Sequence, residues 1–176
     1  MRRRFDGISR SYDDILHSYS FARRARFFES NSSGRCLEVG AGTGSISSLL
    51  GQPKVVFGTD LSVEMVRVMQ MKGISGFQAD AENLPVRNEV MDTIIGSEMI
   101  YYLDDPAQFF SEAYRILRPN GRLLLSSFND RARVYDRLRT LLRKVGMKSM
   151  YFEDDVRKFM TKTQLISYTE SAGFRN

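Results

Sequence analysis

The run Cys36-Leu37-Glu38-Val39-Gly40-Ala41-Gly42-Thr43-Gly44 joins a short apolar strand, one carboxylate and three alternate glycines. Glycines at such spacing let the backbone turn sharply and leave no side chain between main chain and a ligand. Ser45 to Leu50 reads as the first turns of a helix whose free N–H groups point into the same space. The spacing is not the G-x-G-x-x-G of dinucleotide folds, because the third glycine arrives one residue early, at Gly44. The lysine and Ser/Thr pair of a phosphate-gripping loop is missing after it. Glu38, just before the turn, is unfavourable beside a pyrophosphate and suits a ligand carrying an ammonium group.

Further strand tips add acids to the same end of a sheet. Lys54 to Thr59 reads as a second strand ending at Asp60, whose carboxylate can accept two hydrogen bonds from a ribose diol. Ser62 is a suitable N-cap for a helix running to about Lys72. A third strand, Gly76 to Ala79, delivers Asp80-Ala81-Glu82, and a fourth spans Asp92 to Ser97. A fifth, Arg122 to Ser127, follows the turn Leu117-Arg118-Pro119-Asn120-Gly121. Asp104 and Asp105 precede Pro106 and start a helix over Ala107 to Ile116 rather than bind metal. A last helix covers Thr163 to Ala172, with Gly173 as its stop. No His, Cys and carboxylate cluster has metal-ligand spacing, so no metal is expected.

With these motifs in order, the chain resembles the class I S-adenosylmethionine-dependent methyltransferases, in particular their quinone-methyltransferase-like branch. The resemblance rests on Glu38 to Gly44, Asp60, Asp80-Ala81, the fourth-strand segment Asp92 to Leu103, the R-P-x-G turn Arg118 to Gly121, and the opening Phe5 to Asp13. It implies an α/β fold: a doubly wound, Rossmann-like, mostly parallel sheet of strand order 3-2-1-4-5 in a single domain. Residues 1–33 would form an N-terminal helical lid, 34–130 the cofactor core and 131–176 the C-terminal helices. The implied cofactor is S-adenosylmethionine, with S-adenosylhomocysteine as product. Its implied contacts are Tyr12, Glu38, Gly40, Ala41, Gly42, Thr43, Gly44, Asp60, Leu61, Met65, Asp80, Ala81, Glu82 and Ser97. Candidates for work at the methyl acceptor are Tyr12, His17 and Tyr101, with Tyr19 and Tyr102 as neighbours of the same type. His17, the single histidine, reads either as a general base in the lid or as a surface group.

The chain has 176 residues, enough to bury one core, and no run approaches the roughly 20 apolar residues of a membrane span. The arginine-rich start lacks the apolar stretch of a secretion signal, and Cys36 sits inside the first strand as a structural thiol, so a cytoplasmic location is expected. Residues 131–148 carry seven basic side chains against one acidic, on an amphipathic helix whose charged face is either solvated or a patch for an anionic partner.

Only Arg175 and Asn176 follow Phe174, where relatives enter a terminal hairpin, so that hairpin is expected to be missing and the fifth strand to be a sheet edge. Three outcomes are open: a homodimer or partner subunit covers that edge, which is the favoured one, the basic helix and tail fold over it, or the chain is a truncated form. The function expected is methyl transfer to a small-molecule acceptor. The alternatives are a non-catalytic S-adenosylmethionine-binding partner subunit and, further off, an RNA methyltransferase. Against the last, Ser97-Glu98-Met99-Ile100 stands where amino-group nucleic-acid enzymes carry N/D-P-P-Y/F.

Overall fold

The computed structural model describes residues 5–7, 9, 19–51, 55–127 and 160–175. The expected lid residues Tyr12 and His17 and the basic helix over 131–148 lie outside the described residues. Five strands form one parallel sheet: β1 (Arg35–Val39), β2 (Val55–Asp60), β3 (Ser75–Gln78), β4 (Met91–Ser97) and β5 (Leu117–Ser126). Their order is β3-β2-β1-β4-β5, as the resemblance implies. Among the described residues four helices accompany them: α1 (Tyr19–Asn31), α2 (Val63–Met71), α3 (Pro106–Ile116) and α4 (Lys162–Ser171).

A parallel sheet covered on both faces needs apolar residues in both alternations of each strand, and this one has them. Phe57, Ile94, Leu123 and Leu125 point to the face where α3 lays Phe109, Phe110, Ala113 and Ile116. Val56, Ile95 and Leu124 point the other way, against Ala25 and Phe28 of α1 and the turn residues Ile46 and Leu50. Helix α4 packs on α3 through Tyr168 stacked on Phe110 at 5.7 Å, and Phe174, just beyond the helix, lies edge-on to Tyr114 at 5.3 Å.

Helix α2 rests on the sheet through Met69. Its sulfur occupies the space over Gly58 and Gly76, where the β-carbons of any larger residues would have to sit. Ser62 caps α2, as its sequence position suggests, with its hydroxyl accepting from the Met65 N–H at 3.2 Å. Asp105 caps α3 with Pro106 in the first turn, and Thr161 with Gln164 forms a capping box on α4.

Two local expectations shift. The helix expected over Ser45 to Leu50 is a single 3₁₀ turn, Ser47–Leu49. The fifth strand begins at Leu117 rather than Arg122, because Leu117 pairs with Met91 directly from the end of α3. The next partners are Thr93 and Arg122, so Arg118 to Gly121 bulge from the ladder. Asp92 holds the bulge, accepting from Arg118 Nη1 at 2.9 Å and from the Arg35 N–H at 2.7 Å. Those bonds keep its carboxyl below the ordinary carboxylate range. Among the described residues β5 is the outermost strand on its side, and no described helix is long and apolar enough to cross a membrane.

Candidate functional site

The carboxyl ends of β1 to β4 open into one cleft, continuous with solvent. This is the end at which open α/β sheets take their ligands. Its floor is the turn after β1, where Gly40 (φ +67°) and Gly42 (φ +55°) both adopt left-handed backbone. A methyl group on Gly40 would lie 2.7 Å from the Met99 β-carbon, so sterics as well as conformation demand glycine there.

Asp60 ties this floor to its neighbours. Its Oδ2 accepts from the Gly42 N–H at 2.9 Å and its Oδ1 from the Ser62 N–H at 2.8 Å. One carboxylate thus fixes both the glycine turn and the start of α2, and it retains acceptor capacity for a further donor in the cleft. Burial pushes its carboxyl above the ordinary value against the pull of those N–H groups, and Asp6 nearby adds to the rise. Ser62 in turn donates its hydroxyl to the Asp6 carboxylate, which brings the segment around Phe5 over the cleft.

Glu38 does not line the cleft. It is 2% exposed and lies beneath the turn, where Oε2 accepts from the Ser47 N–H at 2.9 Å and the Ser47 hydroxyl at 2.5 Å. Burial lifts its carboxyl from 4.5 to about 7, the two Ser47 bonds oppose the rise, and Asp60 adds to it. The short turn Ser47–Leu49 is therefore anchored on β1 by a buried acid.

The far wall is the turn after β3. Asp80 Oδ1 accepts from the Glu82 N–H at 3.0 Å, and the Asn83 N–H reaches the Asp80 carbonyl at 3.1 Å. The walls between these acids are apolar: Leu61, Met65, Ala79, Ala81 and Leu103. Phe5 meets Tyr102 edge-on at 5.6 Å across the opening.

Of the residues expected to face a cofactor, Gly40, Gly42, Asp60, Leu61, Met65, Asp80, Ala81, Glu82 and Ser97 line the cleft. Ala41 and Thr43 are buried, at 8% and 1% exposure, and like Gly44 stand outside its lining. Tyr101 also moves. It is 3% exposed and belongs to the core cluster, while its neighbour Tyr102 lines the cleft. The 3₁₀ turn Ile100–Tyr102 advances about 120° per residue, so it turns two side chains into the core and the third outward. Phe5, Ser62, Glu98, Met99, Leu103 and Asp104 complete the lining. In the sequence Ser62 and Asp104 read as helix-starting residues, and the signal of the others was adjacency to a motif residue. Among the described residues no group of three His, Cys, Asp or Glu side chains could hold a metal ion.

Bare backbone, a diol-accepting carboxylate and flat apolar walls fit a nucleoside, and the acids beside them fit one that carries positive charge. A methyltransferase-domain family profile matches residues 12–176. The ubiquinone/menaquinone biosynthesis C-methyltransferase UbiE of Syntrophotalea carbinolica is 30% identical, over 98% of this chain and 84% of that protein. The malonyl-[acyl-carrier protein] O-methyltransferase of Marinomonas sp. is 29% identical over 73% of this chain, which spans only 52%, about half, of its length. A solved S-adenosylmethionine-dependent methyltransferase of Thermotoga maritima superposes on 100% of this chain and 82% of its own, with a TM-score of 0.82 at 24% identity. With the profile covering nearly the whole sequence and the sheet order agreeing, the chain belongs to the class I S-adenosylmethionine-dependent methyltransferases.

Proposed function

We propose that the chain is an enzyme that binds S-adenosylmethionine in this cleft and passes its methyl group to a small-molecule acceptor. The observation that carries the reading is Asp60: a carboxylate at the tip of β2, already braced by the N–H groups of Gly42 and Ser62 and still facing the cleft. In this reading its remaining acceptor capacity holds the ribose hydroxyls. Ala79, Ala81 and Leu103 enclose the base, Asp80 stands near its amino edge, and Gly40 and Gly42 let the tail lie against main chain. Glu38, once ionised beneath the turn, favours the cationic end through space.

The cofactor supplies a sulfonium-bound methyl group that is already activated, so the protein's task is to orient an acceptor in line with it and exclude water. Ser97, Met99 and Tyr102, at and beyond the tip of β4, are proposed to form the acceptor wall. Phe5 and Asp6 dock on Tyr102 and Ser62 at the opening. Tyr12 and His17, outside the described residues, remain proposed acceptor-side groups. The activities of the two relatives, on a malonyl-acyl carrier and on a quinone precursor, support a small or carrier-held acceptor over a nucleic acid.

Calorimetric titration with S-adenosylmethionine and S-adenosylhomocysteine tests the binding. Transfer of labelled methyl to a fractionated metabolite pool, with an RNA pool as comparison, tests the activity. Binding without transfer to either pool would leave a non-catalytic binder and sink the enzymatic half of the reading.

A further inference from the structure

Resting on the reading of the cleft as a cofactor and acceptor pocket, we propose that Glu82 is a positioning residue that locks the acceptor wall to the cofactor wall. Its side chain leaves the turn after β3 and crosses to the other side of the cleft. There Oε1 accepts from two successive backbone N–H groups, Asp104 at 2.7 Å and Asp105 at 2.9 Å. Both linked segments line the cleft: Asp80 and Ala81 on one, Tyr102, Leu103 and Asp104 on the other. A carboxylate bridging them sets the gap between the nucleoside wall and the wall that faces the acceptor.

The local chemistry explains why a hydrogen-bond acceptor at position 82 is needed. Helix α3 opens with Pro106, which has no N–H, and Asp105 caps it by accepting from the Ala107 and Gln108 N–H groups at 3.0 and 3.3 Å. Asp105 therefore commits its side chain forward, into the helix. The N–H groups of Asp104 and Asp105 point back and need a second acceptor, which Glu82 provides at the positive end of the helix.

The bridge is the first of three fasteners along one seam. Glu112 Oε2 accepts from the Leu84 N–H at 2.7 Å, while Arg115 donates to the Leu84 and Val86 carbonyls at 3.0 and 2.7 Å. The Glu112 and Arg115 fasteners hold the strand-free segment after β3 to the body of α3, away from the cleft. Glu82 alone of the three acts at the cleft itself.

Amide hydrogen exchange read residue by residue, with and without S-adenosylhomocysteine, tests this on the full chain. In the unliganded protein Glu82→Ala should speed exchange at Asp104 and Asp105 by about 10- to 100-fold, the effect of losing a hydrogen bond to a charged acceptor. Glu82→Gln, which keeps a carbonyl oxygen at the same reach, should restore most of the protection. In wild type, S-adenosylhomocysteine should slow exchange at Tyr102 to Asp105. In Glu82→Ala the ligand should still bind, but protection should stop at the β3 turn.

Unchanged exchange at Asp104 and Asp105 in both unliganded variants would overturn the proposal. So would a loss of affinity with exchange unaltered, since that would make Glu82 a direct ligand contact. If Glu82→Ala does not fold, Glu82→Met, which keeps the reach of the side chain without an oxygen, decides: faster exchange confined to Asp104 and Asp105 supports the bridge, and unchanged exchange refutes it. Failure of wild type to bind the ligand would defeat the cofactor reading alone, because the unliganded exchange would still report on the bridge.

Discussion

Replacing Glu38 with Gln isolates a single buried charge. Glu38 is 2% exposed, and burial lifts its carboxyl from 4.5 to about 7. The folded chain thus holds a proton here that the unfolded chain has released between those two values. Stability contributed by this group is complete below about pH 4.5, falls as pH rises through the window, and reaches its minimum above about pH 7. At roughly 1.4 kcal/mol per pH unit, the full swing is about 3 kcal/mol. Gln keeps a carbonyl to accept from Ser47 and cannot ionise. Urea denaturation at pH 5, 6, 7 and 8 should show wild type losing stability across the series and the variant losing less. The gap should widen to about 3 kcal/mol by pH 8. Asp60, whose carboxyl is also raised, contributes a slope of the same sign to both proteins, so the difference between the curves is the relevant reading. Parallel curves from pH 5 to 8 would refute the assignment of Glu38 as the titrating group. A cationic ligand over the turn should relieve the same strain, so S-adenosylmethionine should stabilise wild type more at pH 8 than at pH 5.

Asp60→Asn should weaken S-adenosylhomocysteine by roughly 10- to 100-fold in calorimetry through loss of charge-assisted hydrogen bonds; unchanged affinity would remove Asp60 from the ligand site. Gly40→Ala places a methyl 2.7 Å from the Met99 β-carbon at a residue with φ +67°, and should lower stability by about 1–3 kcal/mol in urea denaturation. A wild-type midpoint would mean that Met99 withdraws freely. Tyr102→Ala should reduce methyl transfer at least roughly tenfold, while the corresponding change at Tyr101 should act on thermal stability first. Equal turnover in wild type and Tyr102→Ala would remove Tyr102 from the acceptor wall.

The sheet was legible because its strands announce themselves in short apolar runs, each ending at a polar tip. Asp60 was legible for the same reason: a carboxylate at the end of a strand has one direction to face. Glu38 was harder. It lies one residue inside β1, and alternation along the strand, which the one-dimensional order hides, sends it beneath the turn instead of into the cleft. Tyr101 and Tyr102 are chemically alike and adjacent, so only the phase of a three-residue turn separates core from cleft. The bulge at Arg118 to Gly121 was read as a turn because Pro119 and Gly121 signal one, whereas the pairing of Leu117 with Met91 is a long-range contact with no local signature. Glu82 was assigned to the cofactor by its place in an acidic tip, and its reach to Asp104 and Asp105 depends on a loop 22 residues away in sequence.

Met69 over Gly58 and Gly76 couples three positions on three different elements. An unbranched thioether slides into a trough that only two missing side chains can make, so volume there is fixed as a sum and not residue by residue. Adding a methyl to either glycine would force the sulfur out unless position 69 shrank at the same time. Engineering of this part of the molecule must therefore treat the trio as one exchangeable unit, shared between strand and helix.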